Sequence, residues 1–110
     1  MRIGQYLKGT IEEGLVLRPN GDFNLECYVD ADFAGLYAME DVMDPSCVKS
    51  RTGYVLSISG CPILWISRLQ QDIATSTMEA EYNALSMAMK DAIPMQELIK
   101  VIGNSVGLSD

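Results

Sequence analysis

Histidine is absent from all 110 residues, which removes the Ser-His-Asp and Cys-His nucleophilic arrangements together with most zinc and non-haem iron sites. Any chemistry on this chain must run on carboxylates. Cations are scarce: eight Lys and Arg against fifteen Asp and Glu leave a formal net charge of −7. That balance argues against a self-sufficient nucleic-acid binder, because affinity for phosphates comes mainly from Lys and Arg releasing counterions. The three cysteines, Cys27, Cys47 and Cys61, are odd in number and far apart, so they form neither a disulfide framework nor a C-x-x-C zinc spacing. Free thiols in a reducing compartment are the expectation. Apolar runs such as Cys61 to Ile66 fall far short of the roughly 20 residues that span a bilayer, and no apolar signal-peptide block opens the chain. A soluble, intracellular chain without a membrane partner follows as a prediction.

Hydrophobic residues make up 48% and charged residues 21% of the chain, the balance of an ordinary globular protein. This length supports one domain, burying roughly two thirds of the surface the unfolded chain exposes. Ile3, Tyr6 and Leu7 carry helical spacing and end in Lys8-Gly9, which predicts the tail of a helix. Gly14 to Leu17 is a short apolar run, followed by a turn cluster at Pro19-Asn20-Gly21-Asp22.

From Phe23 the side chains alternate. Phe23, Leu25, Cys27, Val29, Ala31 and Phe33 point one way, while Asn24, Glu26, Tyr28, Asp30 and Asp32 point the other, as a strand requires. Gly35 to Ser50 has no period and reads as an exposed loop with room for a helical turn. Thr52 to Ser59 and Pro62 to Arg68 read as a hairpin turning at Gly60-Cys61, with Trp65 and Tyr54 in core or half-buried positions. The polar Gln70-Gln71-Asp72 then predicts a loop. The stripe Met78, Tyr82, Leu85, Met89 predicts a helix over about 77–91 with that stripe toward the sheet. Pro94 is expected to break or kink it before a second piece, Met95 to Ile102. The order predicts an α+β fold, a three-stranded antiparallel meander followed by helices.

Two acidic motifs could carry chemistry. Asp30-Ala31-Asp32 places two carboxylates on one strand face. In Ser76-Thr77-Met78-Glu79-Ala80-Glu81-Tyr82, Ser76 and Glu79 fit a capping box, which gives Glu79 a structural task. Glu81 has no such task and lies beside the apolar stripe, where a carboxylate needs a hydrogen bond, a cation or a metal. If Asp30 and Glu81 approach each other, a divalent cation would relieve their repulsion, and hard oxygen donors favour Mg²⁺ or Mn²⁺. Solvated surface charge is the competing reading of both residues.

Tyr28-Val29-Asp30-Ala31-Asp32-Phe33-Ala34-Gly35 resembles the opening of the copia-type retrotransposon ribonuclease H, usually written S-D-A-D-W-A-G. Lys49-Ser50-Arg51-Thr52-Gly53-Tyr54, Trp65-Ile66-Ser67-Arg68-Leu69-Gln70 and Ser76 to Tyr82 resemble the next three blocks in order. Arg2 to Thr10 with Gly14-Leu15 is similar to the end of that family's reverse transcriptase. The resemblance implies residues 1–22 as a reverse transcriptase tail and connection, and 23–110 as the first half of a ribonuclease H-like domain whose last strands lie beyond Asp110.

In that family, four acids hold two Mg²⁺ ions that activate water to cut RNA in an RNA–DNA hybrid. By motif position Asp30 corresponds to the first acid and Glu81 to the second, with Glu79 as the register alternative. Asp32 matches a family position without a catalytic role, and Phe33 stands where tryptophan is commoner. The third acid, in an Asp-Asn pair, and the fourth are expected beyond Asp110, which implies weak metal binding and an inactive chain. Lys49, Arg51 and Arg68 are the expected phosphate contacts, with solvated strand-end charge as the competing reading. The first strand would become a sheet edge open to self-association. A non-catalytic binding module using that edge, or the acidic loop Glu40 to Asp44, is the alternative.

Overall fold

The computed structural model of the chain describes residues 2–35 and 43–107. Helix α1 (Arg2–Gly9) is followed by strand β1 (Leu25–Asp32), a 3-10 turn (Pro45–Val48), strands β2 (Arg51–Ile58) and β3 (Cys61–Leu69), and helix α2 (Thr77–Ser105). The strands form one antiparallel sheet in the order β1-β2-β3, which leaves β1 and β3 as its edges. The α+β meander expected from the alternation is therefore present. Residues 36–42, including Glu40 and Asp41 of the acidic loop, lie outside the described residues.

Local chemistry explains most boundaries. Asn20 Oδ1 accepts the Asp22 N–H at 3.0 Å, a side-chain turn of the kind Asn favours. The β2–β3 turn falls on Ser59-Gly60, one residue earlier than expected. Both residues have positive φ, 53° and 77°, as the two-residue turn that matches strand twist demands. Pro94 does not break α2, which runs unbroken for 29 residues. Pro94 and Lys90, four residues before it, are both exposed, so the carbonyl deprived of its donor can be hydrated.

The helix meets the sheet through a different face from the one expected. Ala80, Ala84, Ala88 and Ala92 are buried, whereas Met78, Tyr82, Leu85 and Met89 are exposed. Alanines four residues apart form one ridge, and their small size lets the helix backbone sit close to the larger strand residues Tyr54 and Leu56, both buried. Register assigns the helix-facing side of the sheet: Leu25, Ile58 and Cys61 align across the strands, as do Cys27, Leu56 and Leu64, then Val29, Tyr54 and Ile66, then Ala31, Thr52 and Arg68. Trp65 belongs to the other face and is 62% exposed, contrary to its expected core or half-buried position.

Gln70 ties the layers together. Expected in a polar loop, it is 3% exposed. Its Nε2 donates to Thr52 Oγ1 at 3.0 Å and to the Ala80 carbonyl at 2.9 Å. Its Oε1 accepts from Asn83 Nδ2 at 3.4 Å, and its backbone N–H donates to the Ser50 carbonyl at 2.8 Å. A second tie joins β2 to the helix, where the Tyr54 hydroxyl donates to the Asp91 carboxylate.

Replacing Gln70 with Ala leaves the buried Thr52 hydroxyl and the Ala80 carbonyl without this donor, and is expected to cost about 2–3 kcal/mol in urea unfolding. Burial, with the Asp91 carboxylate second, pushes the Tyr54 hydroxyl up to about 12. A raised folded value favours the fold below the ordinary tyrosine value of about 10, and that contribution is lost as pH rises from there through 12. Alkaline unfolding followed by circular dichroism should show this loss, and Tyr54→Phe should remove it.

Candidate functional site

The face of the sheet turned away from α2 carries the strand acids. Because side chains alternate along each strand, register sets its rows: Glu26 beside Ser57 and Pro62, Tyr28 beside Val55 and Trp65, Asp30 beside Gly53 and Ser67, and Asp32 beside Arg51 and Leu69. Gly53 adds no side chain to the middle row, where a Cβ would have only the Ile66 carbonyl oxygen within reach, at 3.9 Å. The result is a shallow hollow of about 370 Å³ bordered by Tyr28, Asp30, Val55, Trp65 and Ser67. Glycine inside a strand is the sequence signal for such a hollow.

Around this hollow the acids keep separate company. The Tyr28 hydroxyl donates to Glu26 Oε2 at 2.8 Å, which raises the tyrosine's own proton affinity. Asp32 closes against the turn after β1: a Cβ on Gly35 would lie 1.9 Å from Asp32 Oδ2, so a larger residue there would turn the exposed Asp32 side chain away. The Ala34 N–H, at φ 49°, donates to Ser50 Oγ at 3.3 Å. Asp30 is exposed at the β1 end of its row.

Glu81 sits on the other side. With Val29, Thr77, Met78, Tyr82 and Leu85 it lines a largely apolar cavity of about 600 Å³ between β1 and α2. Val29 and Asp30 are successive strand residues and project to opposite faces. The structure thus brings Asp30 together with Asp32 and separates both from Glu81. Glu79 works at the helix cap, as expected, but with a changed partner. Its N–H donates to Ser76 Oγ at 3.1 Å, while its carboxylate accepts from Thr75 N at 2.7 Å and Thr75 Oγ1 at 2.6 Å, one residue before the position a capping box would use.

The three expected phosphate contacts are also divided. Arg51 lies on the open face, its guanidinium 3.5 Å from Ser67 Oγ. Arg68 shares the helix-side row of Thr52, where its charge opposes the rise in the Tyr54 pKa. Lys49 precedes β2 and is half-buried. Among the described residues, no group of three or more His, Cys, Asp or Glu side chains is placed to hold a metal ion. The described residues therefore do not make up a two-metal donor set. No helix among the described residues is long and apolar enough to cross a membrane.

Similarity to known proteins extends over most of the chain. It is 37% identical over 99 residues to the retrovirus-related Pol polyprotein from transposon TNT 1-94 of Nicotiana tabacum, covering 90% of this chain and 7% of that protein. It is 33% identical over 85 residues to the corresponding polyprotein from transposon RE2 of Arabidopsis thaliana, covering 77% of this chain and 5% of the relative. A third relative, secreted RxLR effector protein 161 of Plasmopara viticola, is 35% identical over 92 residues, which is 84% of this chain and 59% of the effector. The chain thus spans a small part of the transposon polyproteins it matches. No protein-family model and no solved structure matches it.

The two Thr75 hydrogen bonds hold the Glu79 carboxyl below the usual glutamate range. A depressed folded value means the cap's contribution is present above the ordinary glutamate pKa of about 4.3 and is lost as pH falls through the lower folded value. Far-UV circular dichroism on acid titration should show this loss of helix, and Glu79→Gln should flatten that part of the curve.

Proposed function

Because the chain belongs to the copia-type retrotransposon Pol polyproteins, we propose that it is the stretch where a reverse transcriptase gives way to a ribonuclease H-like unit. The activity of that lineage, in this reading, is Mg²⁺-dependent hydrolysis of the RNA strand of an RNA–DNA hybrid. One observation carries it: each motif block coincides with a structural boundary. Tyr28 to Gly35 ends β1 and its glycine turn, Lys49 to Tyr54 opens β2, Trp65 to Gln70 closes β3 on the buried amide, and Ser76 to Tyr82 caps α2.

In this reading Asp30 is the first acid and Glu81 the second, with Lys49, Arg51 and Arg68 toward the nucleic-acid backbone. The Asp-Asn pair that the resemblance implies does not occur in the sequence, and Asp30 and Glu81 face opposite ways. No step of hydrolysis is therefore assigned to this chain, and on its own it is inactive. A second reading, a non-catalytic interaction module of retroelement descent, is supported by the exposed apolar side chains Tyr28, Trp65, Tyr82 and Leu85.

The test is RNA cleavage in an RNA–DNA hybrid with Mg²⁺ or Mn²⁺ present, comparing the chain with Asp30→Asn and Glu81→Gln. Cleavage no faster than that of either variant is expected. Cleavage that both substitutions abolish would mean that the two carboxylates meet in solution, and the inactive reading would fall.

A further inference from the structure

We propose that Asn20-Gly21 is a self-modification site, at which the chain converts its own asparagine to aspartate and isoaspartate and so loosens the connection before β1 from the β2–β3 turn. The sequence holds four asparagines, Asn20, Asn24, Asn83 and Asn104, and Asn20 alone is followed by glycine. The backbone nitrogen after an asparagine can attack the side-chain amide carbon, at a rate set by how readily the two atoms meet. Glycine in the following position has no Cβ to obstruct the approach and the widest choice of backbone angles.

The geometry at Asn20 favours that attack. The Asp22 N–H donates to Asn20 Oδ1 at 3.0 Å, which folds the side chain over the Gly21 peptide unit and brings Cγ toward the Gly21 nitrogen. The same N–H is placed to stabilise the negative charge that gathers on Oδ1 as the carbonyl becomes tetrahedral. Among the described residues, neither the Gly21 N–H nor Asn20 Nδ2 donates a hydrogen bond, so nucleophile and leaving group are both unrestrained. Both residues are exposed to water. The other asparagines are held. Asn83 and Asn104 lie within α2, where the helical ladder engages the N–H that follows, and Asn83 Nδ2 donates to Gln70 Oε1 at 3.4 Å. Asn24 is followed by Leu25, the first residue of β1, whose branched side chain crowds the attacking nitrogen.

The reaction consumes one water and releases one ammonia. Hydroxide or water takes the Gly21 N–H proton, the nitrogen bonds to Asn20 Cγ, and the Cγ–Nδ2 bond breaks as Nδ2 gains a proton and leaves. Water then opens the resulting five-membered imide. Breaking its bond from nitrogen to Cγ gives aspartate, and breaking the bond from nitrogen to the main-chain carbonyl carbon gives isoaspartate, whose backbone runs through Cβ and Cγ. The Asn20 N–H donates to the Ser59 carbonyl at 2.9 Å, and the Ser59 N–H donates to the Asn24 carbonyl at 3.1 Å. Residues 20–24 thus clasp the β2–β3 turn with two bonds to one residue. Isoaspartate adds a backbone carbon between those bonds and moves the oxygen that accepts from Asp22 into the main chain. The site is internal to the chain and does not depend on the ribonuclease reading.

The experiment incubates the full chain at neutral and mildly alkaline pH and follows each asparagine by peptide mass spectrometry, with isoaspartate counted by isoaspartyl methyltransferase labelling. Asn20 should convert at least about tenfold faster than any of the other three, faster at the higher pH, and to both products. It should convert no more slowly in the folded chain than in the urea-unfolded one. Gly21→Ala should slow it at least about tenfold; a Cβ there meets nothing within 4 Å and Gly21 has no positive φ, so the variant keeps the turn. Hydrogen exchange at the Ser59 amide should quicken in the isoaspartate form and stay unchanged in Asn20→Asp, which preserves the backbone length. Conversion spread evenly over the four asparagines, slower in the folded chain, or undiminished by Gly21→Ala would overturn the site. Unchanged Ser59 exchange in the isoaspartate form would overturn the loosening.

Discussion

The packing of this chain depends on one buried amide. Gln70 directly follows β3, yet its side chain reaches Thr52 on β2 and both Ala80 and Asn83 on the first turns of α2, and its backbone holds Ser50. A buried primary amide without partners would be costly, but here donors and acceptor are used together. No described buried side-chain nitrogen or oxygen lacks a hydrogen bond. The amide therefore does more than contribute bonds. It sets where α2 starts relative to the sheet, because a helix displaced by one residue would withdraw the Ala80 carbonyl from Nε2. The alanine ridge and the Tyr54–Asp91 tie follow from that starting point.

From this constraint comes a flat shape. A chain of this mass packed to ordinary compactness would expose about 6,000 Å² and have a radius of gyration of about 13 Å; this one exposes 8436 Å² and has a radius of 17.9 Å. Its extents are 56 × 38 × 15 Å. The thin dimension follows from small alanines holding the helix close against one sheet. The long one follows from the 29-residue α2, about 43 Å at 1.5 Å per residue, overrunning strands of eight or nine residues. Its buried alanines end at Ala92, and the apolar residues beyond, among them Leu98, Val101 and Ile102, have no sheet beneath them.

Period-two alternation makes β1 legible in the sequence, as Asn20 and Ser76 do their turn and cap. These are local signals, in which a residue acts on backbone within a few positions. Gln70, the alanine ridge and the unbroken passage through Pro94 were not legible in the same way. A glutamine between a strand and a polar pair has the composition of a loop, and only Thr52 and Ala80, 18 and 10 residues away, make it core. The large apolar stripe of α2 was a stronger signal by hydrophobicity than the alanines. Proximity of backbones selected the smaller residues, so the periodicity located the helix and misassigned its inner face. Glu81 still lies beside the sheet, lining the cavity between β1 and α2 together with Val29.

The separation of Asp30 from Glu81 has the same kind of cause and is not a matter of side-chain rotation. Asp30 could join the helix side only if β1 slipped by one residue against β2, and a one-residue slip reverses every side chain on the strand. Cys27, Val29 and Ala31 would then leave the face they share with Leu56, Tyr54 and Thr52. In their place would come Glu26, Asp30 and Asp32, three carboxylates facing an apolar helix surface. Desolvating them costs more than exposing one valine, one cysteine and one alanine, unless a cation or a donor-rich partner enters with them. The register that completes the apolar layer therefore also holds the acids outward, on the face of the sheet turned away from α2.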